Sequence, residues 1–143
     1  IGDGRGVAAA LLLGAVGVQL GTRFLVAEEC GVHENYKKKV LAANDIATMT
    51  TGKRLGHPVR SLKNPFSRAY LKAEYSGISD EELEAMGTGS LYRAAVEGDE
   101  KTGSFLAGQI AAIVNKEQPA AEIIREIFEE AETVLNGAKK RVK

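Results

Sequence analysis

Between Gly14 and Leu25 the chain reads GAVGVQLGTRFL, and this stretch limits the possible folds more than any other. Residues 15–20 form a short apolar run that stops at Gly21-Thr22, with Arg23 following at once. Such a run has the pattern of a strand buried on both faces, the kind found in parallel sheets. Upstream, Asp3 is placed to cap a helix over residues 6–13, and Gly14 to end it. Loop, helix, strand and loop in that order make half of a parallel βα unit. Parallel strands need further parallel strands, and this sequence supplies one. The expected class is α/β, with most of the sheet contributed by residues outside the segment. Because Gly2-Asp3-Gly4-Arg5-Gly6 is a loop of the type that follows a strand, the sequence is expected to be a piece of a longer protein.

From Val32 the pattern turns helical. Val32, Tyr36, Val40 and Leu41 share one face, and Lys37, Lys38 and Lys39 are placed on the other. Ile46 to Thr51 is β-branched and Thr-rich, which favours an extended segment. Gly56-His57-Pro58 forbids a regular helix there, and a helix resumes around Phe66 and runs to Gly77. Ser79-Asp80-Glu81-Glu82 matches a capping box, with Gly87 as the stop. Two short helices are expected over 91–96 and 106–114. The strongest periodicity runs from Pro119 to Leu135, where Ile123, Ile124, Ile127, Phe128, Ala131, Val134 and Leu135 make one apolar stripe. The basic tail Lys139-Lys140-Arg141-Val142-Lys143 follows.

Composition excludes several classes. The 143 residues are enough for one ordinary domain with its own core. Lys plus Arg and Asp plus Glu both total 19, so net charge gives no general affinity for nucleic acid. The longest apolar run, Val7 to Leu13, is far below the roughly 18 residues of a membrane span. The one cysteine, Cys30, rules out a disulfide within the chain and fits a reducing, cytoplasmic setting. Glu28 and Glu29 beside it disfavour a reactive thiolate.

The chemistry concentrates at two turns. A Gly-rich turn before a helix can aim backbone N–H groups at an anion, helped by the helix dipole. Gly2-Asp3-Gly4-Arg5-Gly6 is either such a site or a plain tight turn. Gly21-Thr22 is a second candidate, since Gly admits a ligand to the backbone and Thr offers a hydroxyl to a phosphate oxygen. Two such turns separated by one helix and one strand favour a phosphate ligand, because βα barrels hold phosphates between the loops after strands 7 and 8. His33 reads as a surface or capping residue. His57 faces an anionic substrate or makes a structural turn. Lys37 to Lys39 form a solvated face or a patch for an acidic partner. No His/Cys cluster has metal spacing, and no nucleophile elbow is present.

The segments IGDGRGVAAALLLGAVGVQLGTRFLVAEEC, HENYKKKVLAAND, GHPVRSLKN, GTGSLYRAAVEGD and GSFLAGQIA carry a family resemblance. Together they resemble the FMN-dependent enoyl-[acyl-carrier-protein] reductase II family, a branch of the nitronate monooxygenase-like flavin barrels. The HENYK, GHPVRSLKN and AGQIA segments in this order point more narrowly to the reductase branch. The resemblance implies the C-terminal part of a (β/α)8 TIM barrel followed by a mostly helical region. Residues 1–29 would be the last βα elements and residues 30–143 the helical region packed on the barrel.

The same resemblance implies a hydride passed from NADH or NADPH to FMN and on to an enoyl chain, and leaves a monovalent-cation requirement open. Gln19, Leu20, Gly21 and Thr22 would end the last strand and Gly2 would lie in the partner loop, with Gly21 and Thr22 on the FMN phosphate. Ala107, Gly108 and Gln109 would lie near the flavin, and His57 is a further candidate for proximity to flavin or substrate. The family's catalytic histidine would lie upstream, since neither His33 nor His57 matches it, so this chain alone is expected to be incomplete. The implied partners are an acyl carrier protein and the N-terminal part of the barrel, with a homodimer left open. Two other readings stand: nitronate monooxygenase of the same barrel family, and a non-catalytic helical interaction module built on residues 119–135.

Overall fold

A computed structural model describes residues 1–138 and 140. Of the basic tail, Lys139 and residues 141–143 lie outside the described residues. Six helices, two strands and two 3-10 turns follow in chain order, counted over the described residues.

Helix α1 spans Gly4–Leu12. The Asp3 side chain caps it by accepting from Gly6 N at 3.0 Å, and Gly14 leaves it with φ +93°, a conformation that Gly adopts without a Cβ penalty. Residues 15–20 then run as an unpaired segment and not as the expected strand: among the described residues they join no ladder. The physical reason lies in the pattern itself. A strand meant to be buried on both faces needs parallel neighbours, the described residues offer no parallel strand, and Val16 stands fully in solvent at 106% relative exposure. A 3-10 turn, Thr22–Val26, follows directly.

Helix α2, Glu34–Leu41, buries Tyr36 and Val40. The sheet is antiparallel: β1, Thr48–Thr51, pairs with β2, Val59–Leu62, with Thr50 opposite Arg60, and the loop between them carries Gly56-His57-Pro58. Helices α3 (Pro65–Glu74), α4 (Asp80–Gly87) and α5 (Ser90–Ala95) follow. The Ser79–Glu82 capping box is present in full, Glu82 N donating to Ser79 Oγ at 3.1 Å and Ser79 N to Glu82 Oε2 at 2.9 Å.

The helix expected over 106–114 is replaced by two pieces. Phe105 to Ala107 lie along β2, with Leu62 N donating to Phe105 O at 2.8 Å and Ala107 N to Arg60 O at 3.1 Å. Only Gln109–Ile113 coil, as a second 3-10 turn. A backbone whose groups are taken by a neighbouring strand cannot also close i to i+4 bonds, so the β contact wins over local propensity.

Helix α6, Ala120–Ala138, lies on α1. Val7 and Ala8 of α1 meet Ile123, Ile127 and Ala131 of α6 in one buried cluster that also includes Ala27. The buried face of α6 is narrower than the sequence stripe: Ile124 and Phe128 are half exposed, at 49% and 55%. A second cluster joins Val26, Tyr36, Val40, Leu62, Phe105 and Ala107, and a third holds Phe66, Tyr70 and Leu83 between α3 and α4.

Lysine 37 corrects the sequence reading. It is buried, not solvated, and its ammonium donates to Ala27 O (2.8 Å), Glu28 O (3.4 Å) and Glu117 Oε1 (2.6 Å). Three donors meet three acceptors, which is what lets a cation sit inside. Lys38 remains exposed, and Lys39 pairs with Glu100 at 3.0 Å. The contiguous basic patch read from the three lysines is therefore reduced to Lys38.

The α1–α6 contact depends on Gly4, because a methyl group there would run into Ile127 O, Ala131 N and Glu130 Cβ. Gly4→Ala is expected to destabilise the fold by about 1–3 kcal/mol through overpacking, read as a lowered midpoint of denaturant unfolding. An unchanged midpoint would show that the two helices are not in this contact.

Candidate functional site

The 3-10 turn after Gly21 points the Thr22 hydroxyl at the segment that lines β2. Thr22 Oγ1 accepts from Gly108 N at 2.8 Å. From the other side the Tyr36 hydroxyl donates to Leu106 O at 2.7 Å. Burial pushes the Tyr36 phenol up to about 12, so it keeps its proton across the working range and remains a donor. These contacts bring Gly21, Thr22, Ala107 and Gly108 together around a shallow depression of ≈ 380 Å³, floored by Leu25, Tyr36 and Leu106 and edged by Arg60.

The remaining sequence candidates fall around this centre or away from it. Leu20 is half-buried against the α1–α6 cluster, whereas Gln19 and Gln109 are exposed. Gly2 is buried, close to Ile110 and Ile113 of the second 3-10 turn. His57 is exposed in the β1–β2 loop and lines a different depression, of ≈ 210 Å³, with Phe66, Tyr70 and Ser90. Leu106 is the wall between the two depressions. His33 caps α2 by accepting from Asn35 N at 3.1 Å, with its ring against Gly98. Cys30 is a half-buried free thiol beside the α1–α6 cluster.

The Gly-rich turn at the start of α1 is already supplied with carboxylates. Gly4 N donates to Glu130 Oε2 at 2.7 Å and Gly6 N to Asp3 Oδ1 at 3.0 Å. Partial burial pushes the Asp3 carboxyl up, but the Gly6 N–H and the Arg5 guanidinium, 2.6 Å away, outweigh it and hold it below its ordinary value. By contrast, Gly21 has open space where a side chain would stand. The Thr22 hydroxyl spends only a lone pair on Gly108, so its proton is free for a ligand oxygen. The residues at Gly21-Thr22 thus fit a phosphate, and the α1 N-terminus is served from within.

Arg23, which follows the apolar run so abruptly, is a buried clip. Its guanidinium donates to Gln118 Oε1 (2.6 Å) and Lys116 O (3.4 Å). Burial lowers its pKa and Glu126 partly restores it. With Lys37 on Glu117, it ties residues 23–28 to 116–118, where Ala27 and Gln118 bridge in parallel. Sequence reasoning missed both cations, and Tyr36 as a clamp, because each is surrounded in sequence by residues that suggest an ordinary surface helix or turn.

The fold is an α/β, helix-rich assembly in which the open Gly21-Thr22 turn lies beside a largely apolar depression. The family model described as nitronate monooxygenase matches residues 1–130, and the chain belongs to that oxidoreductase family. The solved structure of FabK from Thermotoga maritima is 42% identical, with a TM-score of 0.94, over 99% of this chain and 45% of that one. A nitroalkane oxidase from Streptomyces ansochromogenes is 30% identical, with a TM-score of 0.74, over 94% of this chain and 39% of that one. Among curated relatives, a probable nitronate monooxygenase of Staphylococcus saprophyticus is 31% identical over 94% of this chain and 38% of its own length. The chain therefore spans less than half the length of each of these proteins. No helix among the described residues is long and apolar enough to cross a membrane.

Two outcomes follow from this geometry. Thr22→Val leaves the part-buried Gly108 N–H without its acceptor and is expected to cost about 1–3 kcal/mol, whereas Thr22→Ser keeps it; denaturant unfolding distinguishes them. The Asp3 carboxyl is lowered in the folded state, so its contribution is full above the ordinary 3.8 and is lost as pH falls through the lower folded value. Unfolding midpoints measured down to about pH 3 should fall more steeply for the native chain than for Asp3→Asn, which keeps a capping oxygen without the charge.

Proposed function

We propose that this chain is the C-terminal part of an FMN-dependent enoyl-[acyl-carrier-protein] reductase, the end of a (β/α)8 barrel followed by a helical region. The observation that carries this reading is the likeness to FabK, at 42% identity and a TM-score of 0.94 over 99% of the chain, against 30% and 0.74 for the nitroalkane oxidase. Gly21 and Thr22 would hold the FMN phosphate, the first by leaving the backbone open and the second by donating its hydroxyl proton. Ala107 and Gly108 would face the flavin, positioned by Thr22 and Tyr36. The chemistry FMN supplies when bound is a hydride relay, from NADH or NADPH to the enoyl double bond. Leu25, Tyr36 and Leu106 give that side of the site an apolar lining. An acyl carrier protein would present the substrate, and the N-terminal part of the barrel would complete the pocket and supply the catalytic histidine.

The names of the curated relatives and of the matching family favour a second reading, nitronate monooxygenase, which uses the same phosphate turn and needs no nicotinamide. The intact protein should be yellow and oxidise NADH or NADPH when given a crotonyl thioester. Bound flavin without that turnover, together with oxygen uptake on an alkyl nitronate, would overturn the reductase reading in favour of the second.

A further inference from the structure

The depression that joins Thr22 to Gly108 is edged by a cation. Arg60 lies on β2, and its carbonyl accepts from Ala107 N at 3.1 Å. It is thereby fixed next to the residue that precedes Gly108, whose own N–H is held by Thr22. The side chain is half-buried and lines the same depression as Gly21 and Thr22. One guanidinium N–H donates to Thr48 Oγ1 on β1 at 3.1 Å, which anchors the group without neutralising it. A guanidinium has five N–H donors, and among the described residues no carboxylate pairs with Arg60. Arg5 and Arg54, by comparison, each meet a carboxylate, Asp3 at 2.6 Å and Asp80 at 2.7 Å.

A half-buried guanidinium with free donors, on an apolar floor and beside a hydroxyl with a free proton, is complementary to a group with several acceptor oxygens. Phosphate esters present such a group, and the planar fork of Arg matches two of their oxygens at once. Leu25, Tyr36 and Leu106 line the same depression with apolar surface. We propose that Arg60 is a phosphoryl-binding residue of this site, acting opposite Gly21-Thr22. The inference rests on the flavin reductase reading for its two sources of phosphate: the terminal phosphate of FMN and the phosphates of the reduced nicotinamide dinucleotide.

The test uses the intact protein, native and as Arg60→Gln. The apoprotein is titrated with FMN and with riboflavin by quenching of flavin fluorescence, and the holoprotein with NADH and NADPH. Loss of a charged hydrogen bond is worth about tenfold or more in affinity. A tenfold loss for FMN with riboflavin unchanged assigns Arg60 to the flavin phosphate. An unchanged FMN constant with a tenfold weaker dinucleotide assigns it to the reductant. Either result supports the proposal.

It is overturned if all constants stay within about twofold of native, or if riboflavin weakens as much as FMN, because the effect is then not on a phosphate. If Arg60→Gln does not fold, Arg60→Lys, which keeps the charge and loses the fork, should lower the FMN-to-riboflavin preference by a smaller factor; an unchanged preference counts against the proposal. The ratio of FMN to riboflavin affinity reads the same whether or not a crotonyl thioester is reduced, so this inference and the reductase reading fail separately.

Discussion

The backbone from Phe105 to Gly108 is held on three sides, and the candidate site is built on that restraint. Strand β2 takes Phe105 O and Ala107 N, Tyr36 grips Leu106 O, and Thr22 takes Gly108 N. Each bond alone contributes on the order of 1 kcal/mol net, but an unmade one would leave a buried polar group at greater cost. The four together let an irregular segment run through the interior beside Phe105, which is completely buried. They also join three parts of the chain that are distant in sequence: the turn after the apolar run, helix α2 and the hairpin.

The second framework is the α1–α6 contact, and it shows how close approach is specified. Gly4 lets the helices touch backbone to backbone, and Glu130 of α6 reaches back to cap the Gly4 N–H. The acidic groups at this end therefore act inside the fold, satisfying the first turn of α1 and its dipole. Lys37 and Arg23 perform the matching task elsewhere, converting carbonyls and a side-chain amide of 27–28 and 116–118 into partners. Among the described residues, the buried cations Arg23 and Lys37 find hydrogen-bond partners, whereas a buried carboxylate is left short. Glu74 Oε2 is buried without a partner, although its other oxygen accepts from Arg54 N at 3.2 Å.

Much of the local structure was legible in the sequence, and the misses share a physical origin. Caps read correctly at Asp3 and Ser79 because capping is decided within four residues. The extended segment expected over 46–51 is a strand over Thr48–Thr51, and the long last helix read correctly because its periodicity is strong. The strand over 15–20 failed because no parallel strand among the described residues stands beside it to pair with. The helix over 106–114 failed because a neighbouring strand competes for its backbone, which periodicity does not register. Lys37 was placed on the wrong side because its run of three lysines hides the one whose position, one after Tyr36, turns it toward the 27–28 carbonyls.

At the site, the Gly21-Thr22 turn was legible from residue type, and the segment 107–109 only through family resemblance. Nothing in the sequence places Thr22 against Gly108 or Arg60 beside them, since these residues are far apart along the chain. The central claim is that this constellation receives a phosphate. A crystal structure of the intact, FMN-loaded protein tests it most directly. The account predicts the flavin phosphate within hydrogen-bond distance of Thr22 Oγ1 and the Gly21–Thr22 backbone; a phosphate bound elsewhere, with Thr22 still turned only toward Gly108, would contradict it.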